Sequence, residues 1–242
     1  MQILKIIGSS KDGLRHTEIA KALNIPKGSL SFLLADLLSE EFLSIDNDGR
    51  YRIGSQILIL ANNYLAGLDL IKLSEPVFKD LIEATNESAG LAVPKGLDMV
   101  IVFKKGAPQQ LKLEFEIGEH FPMYASAAGK IVLAHYTEDE LEQYLLTVNL
   151  ISLTAKTVTD PNALRNELKN IRSENIAITS EELYEGRVGL AAPVFQKEGK
   201  VIAAIAQPIP RIRFNSDKER IIKKSLLAAA KNLSNKLGYD GL

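Results

Sequence analysis

The sequence predicts an α+β fold in two parts. A small N-terminal unit of helices and one hairpin precedes a larger unit with a mostly antiparallel sheet flanked by helices. Three observations predict it. Two short helical patterns, parted by Asn24-Ile25-Pro26, lead into a hairpin signal before Gly54. From Ser88 the apolar period changes from that of a helix to that of a strand. Helical stretches at Ser126, Thr137 and Pro161 then interrupt the strand signals, with no internal repeat.

Each element has its own local reason. Gln2 to Ile7 reads as a short helix, and Lys11 to Leu14 as a turn around Gly13. His16 to Ile25 carries Ile19, Ala20 and Leu23 at helical spacing, with Thr17 as the expected N-cap. Lys27 to Ser39 follows, with Leu30, Leu33, Leu34, Leu37 and Leu38 along one stripe. Phe42, Leu43 and Ile45 precede Asp46-Asn47-Asp48-Gly49, and Tyr51 and Ile53 follow it. That is a hairpin with its tip at Asn47 to Arg50, and the whole is a winged helix-turn-helix. Gln56 to Leu65 is an apolar helix, and Gly67-Leu68-Asp69 loosens the chain. The expected division is therefore 1–54, a linker helix at 55–68, and 69–242.

In the larger unit, Ile71 to Thr85 is an amphipathic helix. SAGLAV, DMVIVFKK and LKLEF read as three strands divided by Pro94-Lys95-Gly96 and Gly106-Ala107-Pro108. SAAGKIVLAHY is helical from Ser126. Thr137 with Glu140 forms a capping box for the next helix. Thr159 or Asp160, with Pro161, opens another. Strands IAIT, VGLAAPVF and VIAAIAQPI follow, and Asp217 to Leu237 is the closing helix before Gly238.

Composition narrows the function classes. With 46% hydrophobic and 24% charged residues in 242, the chain is an ordinary globular one. There is no cysteine, which excludes disulfides, thiolate metal sites and cysteine nucleophiles. Three histidines leave little for a metal centre, and no metal or cofactor is expected. No apolar run suits a membrane span, and MQILKIIGSSKDG is a poor signal peptide, so a cytoplasmic protein is expected. Neither a GxSxG elbow nor an HExxH pair occurs, and no catalytic residue is assigned. Net charge is −1, so any case for a nucleic-acid partner rests on local pattern.

Three stretches can carry chemistry. The second helix of a helix-turn-helix presents its N-terminal residues to base edges in the major groove. Here these residues are Lys27, Gly28, Ser29, Ser31 and Phe32, and Arg50 and Arg52 on the wing could reach flanking backbone. Residues 1–53 carry seven basic and seven acidic side chains, so this unit has no net positive charge. A winged helix without net charge also suits protein binding, leaving open a ligand-binding or scaffold protein whose winged helix no longer binds DNA. The second stretch is Ala125 to Gly129. Small residues at a helix start can expose amides to a carboxylate, and they equally suit close helix–sheet packing. The third holds Thr179, Ser180, Glu181, Glu182 and Glu185, and reads as a solvated acidic loop.

In this order and spacing, these pieces resemble the IclR family of transcriptional regulators. The similarity is carried by TEIAKALNIPKGSLSFLLADL, FLSIDNDGRYRIGSQIL, PMYASAAGKIVLA, TDPNALRNELKNIRSENIAITSEELYEGRVGLAAPV and VIAAIAQPIPRIRF. The resemblance implies a winged-helix DNA-binding domain, a linker helix and a GAF-like effector-binding domain. It implies homodimers, or tetramers, on palindromic double-stranded operators. In the recognition helix a family hydroxyl position is Gly28 and an arginine position is Phe32. The effector site implied by the resemblance has amides at Ala127, Ala128 and Gly129, an acid at the position of Thr179 and a cysteine at that of Gly189. Two serines of that site are here Ala206 and Pro208. Loss of these polar groups predicts an apolar or aromatic acid as effector, or a pocket filled by Met123, Tyr124 and Phe195.

Overall fold

A computed structural model describes residues 2–66 and 69–241, with the side chains of all but 61–66 and 69. The chain divides into two compact units, 1–68 and 69–242.

The N-terminal unit runs α1 (Gln2–Gly8), α2 (His16–Leu23), α3 (Lys27–Ser39), β1 (Leu43–Ile45), β2 (Tyr51–Ile53) and α4 (Ser55–Ala66). Ile3, Ile7, Ile19, Leu30, Leu34 and Leu43 form its core. β1 and β2 pair antiparallel, with Leu43 opposite Ile53. The cap of α2 differs from the Thr17 expected from sequence: helix starts at His16, and the Glu18 carboxylate accepts the Arg15 amide at 2.7 Å. A carboxylate reaching back from the first turn serves where Arg15 has no capping side chain. The turn after α2 closes through Asn24 in the left-handed region, φ 53°.

The larger unit is a six-stranded antiparallel sheet of order β5-β4-β3-β8-β7-β6. Its strands are β3 (Ala89–Lys95), β4 (Asp98–Lys105), β5 (His120–Pro122), β6 (Ala177–Ser180), β7 (Arg187–Phe195) and β8 (Val201–Pro210). Its helices are α5 (Asp69–Thr85), α6 (Ala127–Leu133), α7 (Glu138–Thr147), α8 (Pro161–Glu174) and α9 (Ser216–Lys236). The α7 capping box forms through Thr137 and Glu140, and Asp160 caps α8 with Pro161 at its first turn. At the far end, the buried Glu87 carboxylate takes Arg213 at 2.7 Å and Lys218 at 3.1 Å, tying the start of α9 to the end of α5.

The expected strand LKLEF is not one. The edge of β4 pairs instead with His120 to Pro122, and residues 106–119 form a loop. Leu111 is 66% exposed while Phe115 is buried, so the alternation of apolar residues marks a single inward anchor rather than a sheet face. Phe115 lies over Gly90 of β3, where a Cβ would overlap its ring.

Candidate functional site

In the N-terminal unit the start of α3 is open to solvent. Lys27, Gly28, Ser29, Ser31 and Phe32 are all exposed, Phe32 at 78%. Ser31 is not free: its hydroxyl donates to the Lys27 carbonyl at 2.9 Å and lies 3.0 Å from His16 Nε2. The bond to His16 ties the start of α2 to α3. Sequence reading missed this partner because it joins residues 15 positions apart. The wing arginines are also engaged inside the unit. Arg50 donates to the Gly13 carbonyl at 3.2 Å and pairs with Glu18 at 3.5 Å. Arg52 pairs with Asp46 at 2.8 Å and donates to the Lys11 carbonyl at 3.2 Å. Two hydrogen bonds from Arg50 and Asp48 amides, together with Arg52, hold the Asp46 carboxyl below its usual range. The hairpin tip is thus braced by its own charges, and Lys27 and Ser29 are polar side chains that the first turn of α3 presents with no partner among the described residues.

In the larger unit a cleft opens between the start of α6 and the sheet. Antiparallel register builds its floor: Thr179 of β6 stands opposite Gly189 of β7, and Gly189 opposite Pro208 of β8. Ala206 lies two pairs along the ladder, opposite Ala191. Ala127 and Ala128 face these rows from α6, and all of these except Ala191 line the cleft. Gly189 does not leave open volume as its lack of a side chain suggests. A Cβ there would lie 3.0 Å from Thr179 Oγ1 and 3.5 Å from Ala127 Cβ, so neighbours already close the gap.

Gly129 plays a packing role. Its amide donates to the Ser126 hydroxyl at 3.1 Å, which caps α6, and a Cβ would fall inside the backbone of Met123. It is not among the residues lining the cleft. Met123, Tyr124 and Phe195 are buried in the core, away from the cleft lining. The side chains that narrow the cleft are instead Phe115, Phe121, Leu183 and Tyr184. The cleft is narrow: it admits the centre of a water molecule over only about 30 Å³, room for about two waters.

Two charged groups at this cleft escaped sequence reading. Lys130 is fully buried and its ammonium reaches Glu167 and Glu182, each at 2.7 Å. Glu182 therefore departs from the solvated acidic loop expected around it. Burial raises its pKa, against the pull of Lys130. Thr157 adds a hydrogen bond of 2.7 Å to the Glu182 carbonyl. Glu181, by contrast, points outward to Lys156.

The second group is Arg187, the first residue of β7. Alternation along the strand puts it on the same face as Gly189, and its side chain lines the cleft. Its guanidinium carbon sits 4.8 Å from the Phe115 ring centre and 5.4 Å from that of Tyr184. The signal was available in sequence, since residues 187, 189 and 191 share parity, but nothing there says that two rings await the arginine.

Among the described residues, no helix is long and apolar enough to cross a membrane, and no group of three or more acidic or histidine side chains could hold a metal ion.

The model of the bacterial transcriptional regulator IclR C-terminal domain matches residues 62–235. The HTH-type transcriptional regulator KipR of Bacillus subtilis is 28% identical over 229 residues, spanning 95% of this chain and 92% of that protein. The crystal structure of Thermotoga maritima IclR superposes with a TM-score of 0.80 at 26% identity, covering 98% of this chain and 96% of that one. An IclR homologue from Microbacterium hydrocarbonoxydans, crystallised with 4-hydroxybenzoate, aligns with a TM-score of 0.85 at 22% identity, covering 98% and 96%. The chain belongs to the IclR family of transcriptional regulators, with an N-terminal helix-turn-helix and a C-terminal effector domain.

Proposed function

We propose that the chain binds palindromic operator DNA through residues 1–54, as a homodimer or a tetramer. Residues 69–242 take a small organic acid, and the stretch 55–68, which contains α4, connects the two. The observation that carries the proposal is that one chain joins an exposed, unengaged recognition-helix start to a narrow cleft in a separate unit. Lys27 meets phosphate, and Ser29 with the exposed Phe32 faces base edges, where an aromatic ring can pack on a thymine methyl group. Arg50 and Arg52, braced within the hairpin, shape the wing and lend charge to the flanking backbone.

Association follows from α4. Leu58, Ile59 and Leu60 are exposed, more apolar surface than a solvated helix carries, and a second copy covers them. The apolar pattern of the helix also assigns Ile57, Ala61, Tyr64 and Leu65 to this seam; Ile57 is half-buried, and the side chains of the other three lie outside those described. The protein works in the cytoplasm and acts by binding rather than catalysis: the Ser126 hydroxyl of the cleft is committed to the Pro122 carbonyl and the Glu182 carboxylate to Lys130. The acid is apolar or aromatic, as suits a floor of Ala127, Ala128, Gly189, Ala206 and Pro208; the homologue crystallised with 4-hydroxybenzoate has the same fold.

A gel shift of the DNA upstream of the chain's own gene tests this reading. Retardation that survives excess unrelated DNA is the expected result. Equal binding to any sequence, or none, would favour a protein whose winged helix no longer reads DNA.

A further inference from the structure

Arg187 is a charge without a partner. Among the described residues its guanidinium makes no ion pair within 4.0 Å and no hydrogen bond, while its backbone carbonyl accepts the Glu181 amide at 2.8 Å. Glu119 acts on it only through space, from beyond ion-pair distance, and burial lowers its pKa. The neighbouring cation, Lys130, is already committed to Glu167 and Glu182. A half-buried guanidinium normally finds an anion, because the desolvation it suffers is otherwise uncompensated.

Its surroundings say which kind of anion fits. The guanidinium carbon lies over the rings of Phe115 and Tyr184, which hold the cation without an oxygen acceptor. Among the described residues nothing takes its five N–H donors, whose fork matches a carboxylate. None of these donors is sealed from solvent. Beyond the arginine the lining mixes apolar Phe121, Leu183, Ala206 and Pro208 with Ser126, Thr179, Gln207 and Glu182, whose carboxylate is held by Lys130. Tyr184 is exposed and makes no hydrogen bond among the described residues, so it is the wall that can swing out to admit a ring. The start of α6 offers less. That helix has seven residues, and the Gly129 amide is already bound by Ser126.

We infer that Arg187 is the anion anchor of this cleft and that its ligand class is an aromatic monocarboxylate. The carboxylate takes the guanidinium edge, and the ring lies against Phe115 and Phe121 behind Tyr184. The inference rests on the reading of this cleft as the effector site, and it moves the expected carboxylate contact from the α6 amides to a side chain.

The test uses the full chain and four probes at matched ionic strength: benzoate, 4-hydroxybenzoate, the neutral benzamide, and inorganic phosphate. Binding is read by calorimetry and by thermal shift. At least one of the two acids should bind, with benzamide and phosphate at least about tenfold weaker. Arg187→Gln should weaken the acid about 10- to 100-fold, as expected for a lost hydrogen bond to a charged group. Arg187→Lys should recover part of that loss. If the glutamine variant fails to fold, the lysine variant and the acid–amide comparison in the unaltered chain still decide. Equal binding to Arg187→Gln, equal binding of benzamide, a response to phosphate as large as that to the acids, or no response to either acid would each overturn the inference. Gel shifts of upstream DNA with the same proteins separate the two levels. Specific DNA binding by the unaltered chain beside any of those outcomes rejects the anchor while the regulator stands, whereas absence of specific DNA binding rejects the regulator.

Discussion

Lys130 shows how one side chain can hold a site together. Its ammonium has no exposure and bridges α8, through Glu167, to the loop after β6, through Glu182. Removing one member of a buried ionic group leaves an uncompensated charge, which costs about 3–5 kcal/mol. Lys130→Ala should therefore lower unfolding stability by about that much in urea, whereas Lys156→Ala, at an exposed pair, should change it by less than about 1 kcal/mol. Equal effects would show that the buried group carries no special weight. His135 gives a pH-dependent counterpart. Burial, then the positive charge of Arg172, lowers its pKa to about 4. Its Nε2 is buried with no hydrogen-bond partner. Between the ordinary value of 6.5 and about 4, the unfolded chain takes a proton on this residue that the folded chain refuses. Stability is thus lost as pH falls through that window, at up to about 1.4 kcal/mol per pH unit, and is unaffected above it. The difference between unaltered chain and His135→Phe should carry that slope. Parallel stability curves from pH 7 to 4 would contradict the assignment. Neither residue announced itself in sequence, because burial and the partners of a lone lysine or histidine are set by distant segments.

At the scale of elements, local rules did most where the signal is local. Lys27 and Ser39 bound α3 as the leucine stripe predicts, and Thr137 with Glu140 starts α7. The LKLEF segment failed because alternation cannot distinguish a strand from a loop with one buried anchor. What decides is which segment reaches the β4 edge, and His120 to Pro122 does. In the cleft, small residues at Ala127 and Ala128 were readable as close approach, whereas the tight surroundings of Gly189 were not. The aromatic walls were not, since Phe115 arrives from the loop the strand pattern misassigned. The exposed start of α3 yields a prediction of its own. Lys27→Ala should weaken operator binding about equally on all sequences and reduce the slope of log affinity against log salt by about one. A changed base preference with an unchanged salt slope would place Lys27 at a base edge instead.

For the whole molecule, the account is one of linkage between two units of a single chain. An acid that binds the two operator-competence states differently must change operator affinity, and the operator must change affinity for the acid by the same factor. To take a ring, a cleft that admits the centre of a water molecule in only about 30 Å³ would have to rearrange its walls, and such a rearrangement would supply the differential contact that linkage requires. Sequence alone carried the family and the order of parts, because the matching segments run over nearly the whole chain, but not the chemistry of the cleft. The most direct test titrates upstream operator DNA by fluorescence anisotropy with and without saturating benzoate, then titrates benzoate by calorimetry with and without operator. The account predicts a change of about 5- to 150-fold in operator affinity, matched by the same factor in benzoate affinity. Benzoate that binds the chain yet leaves operator affinity unchanged would contradict it.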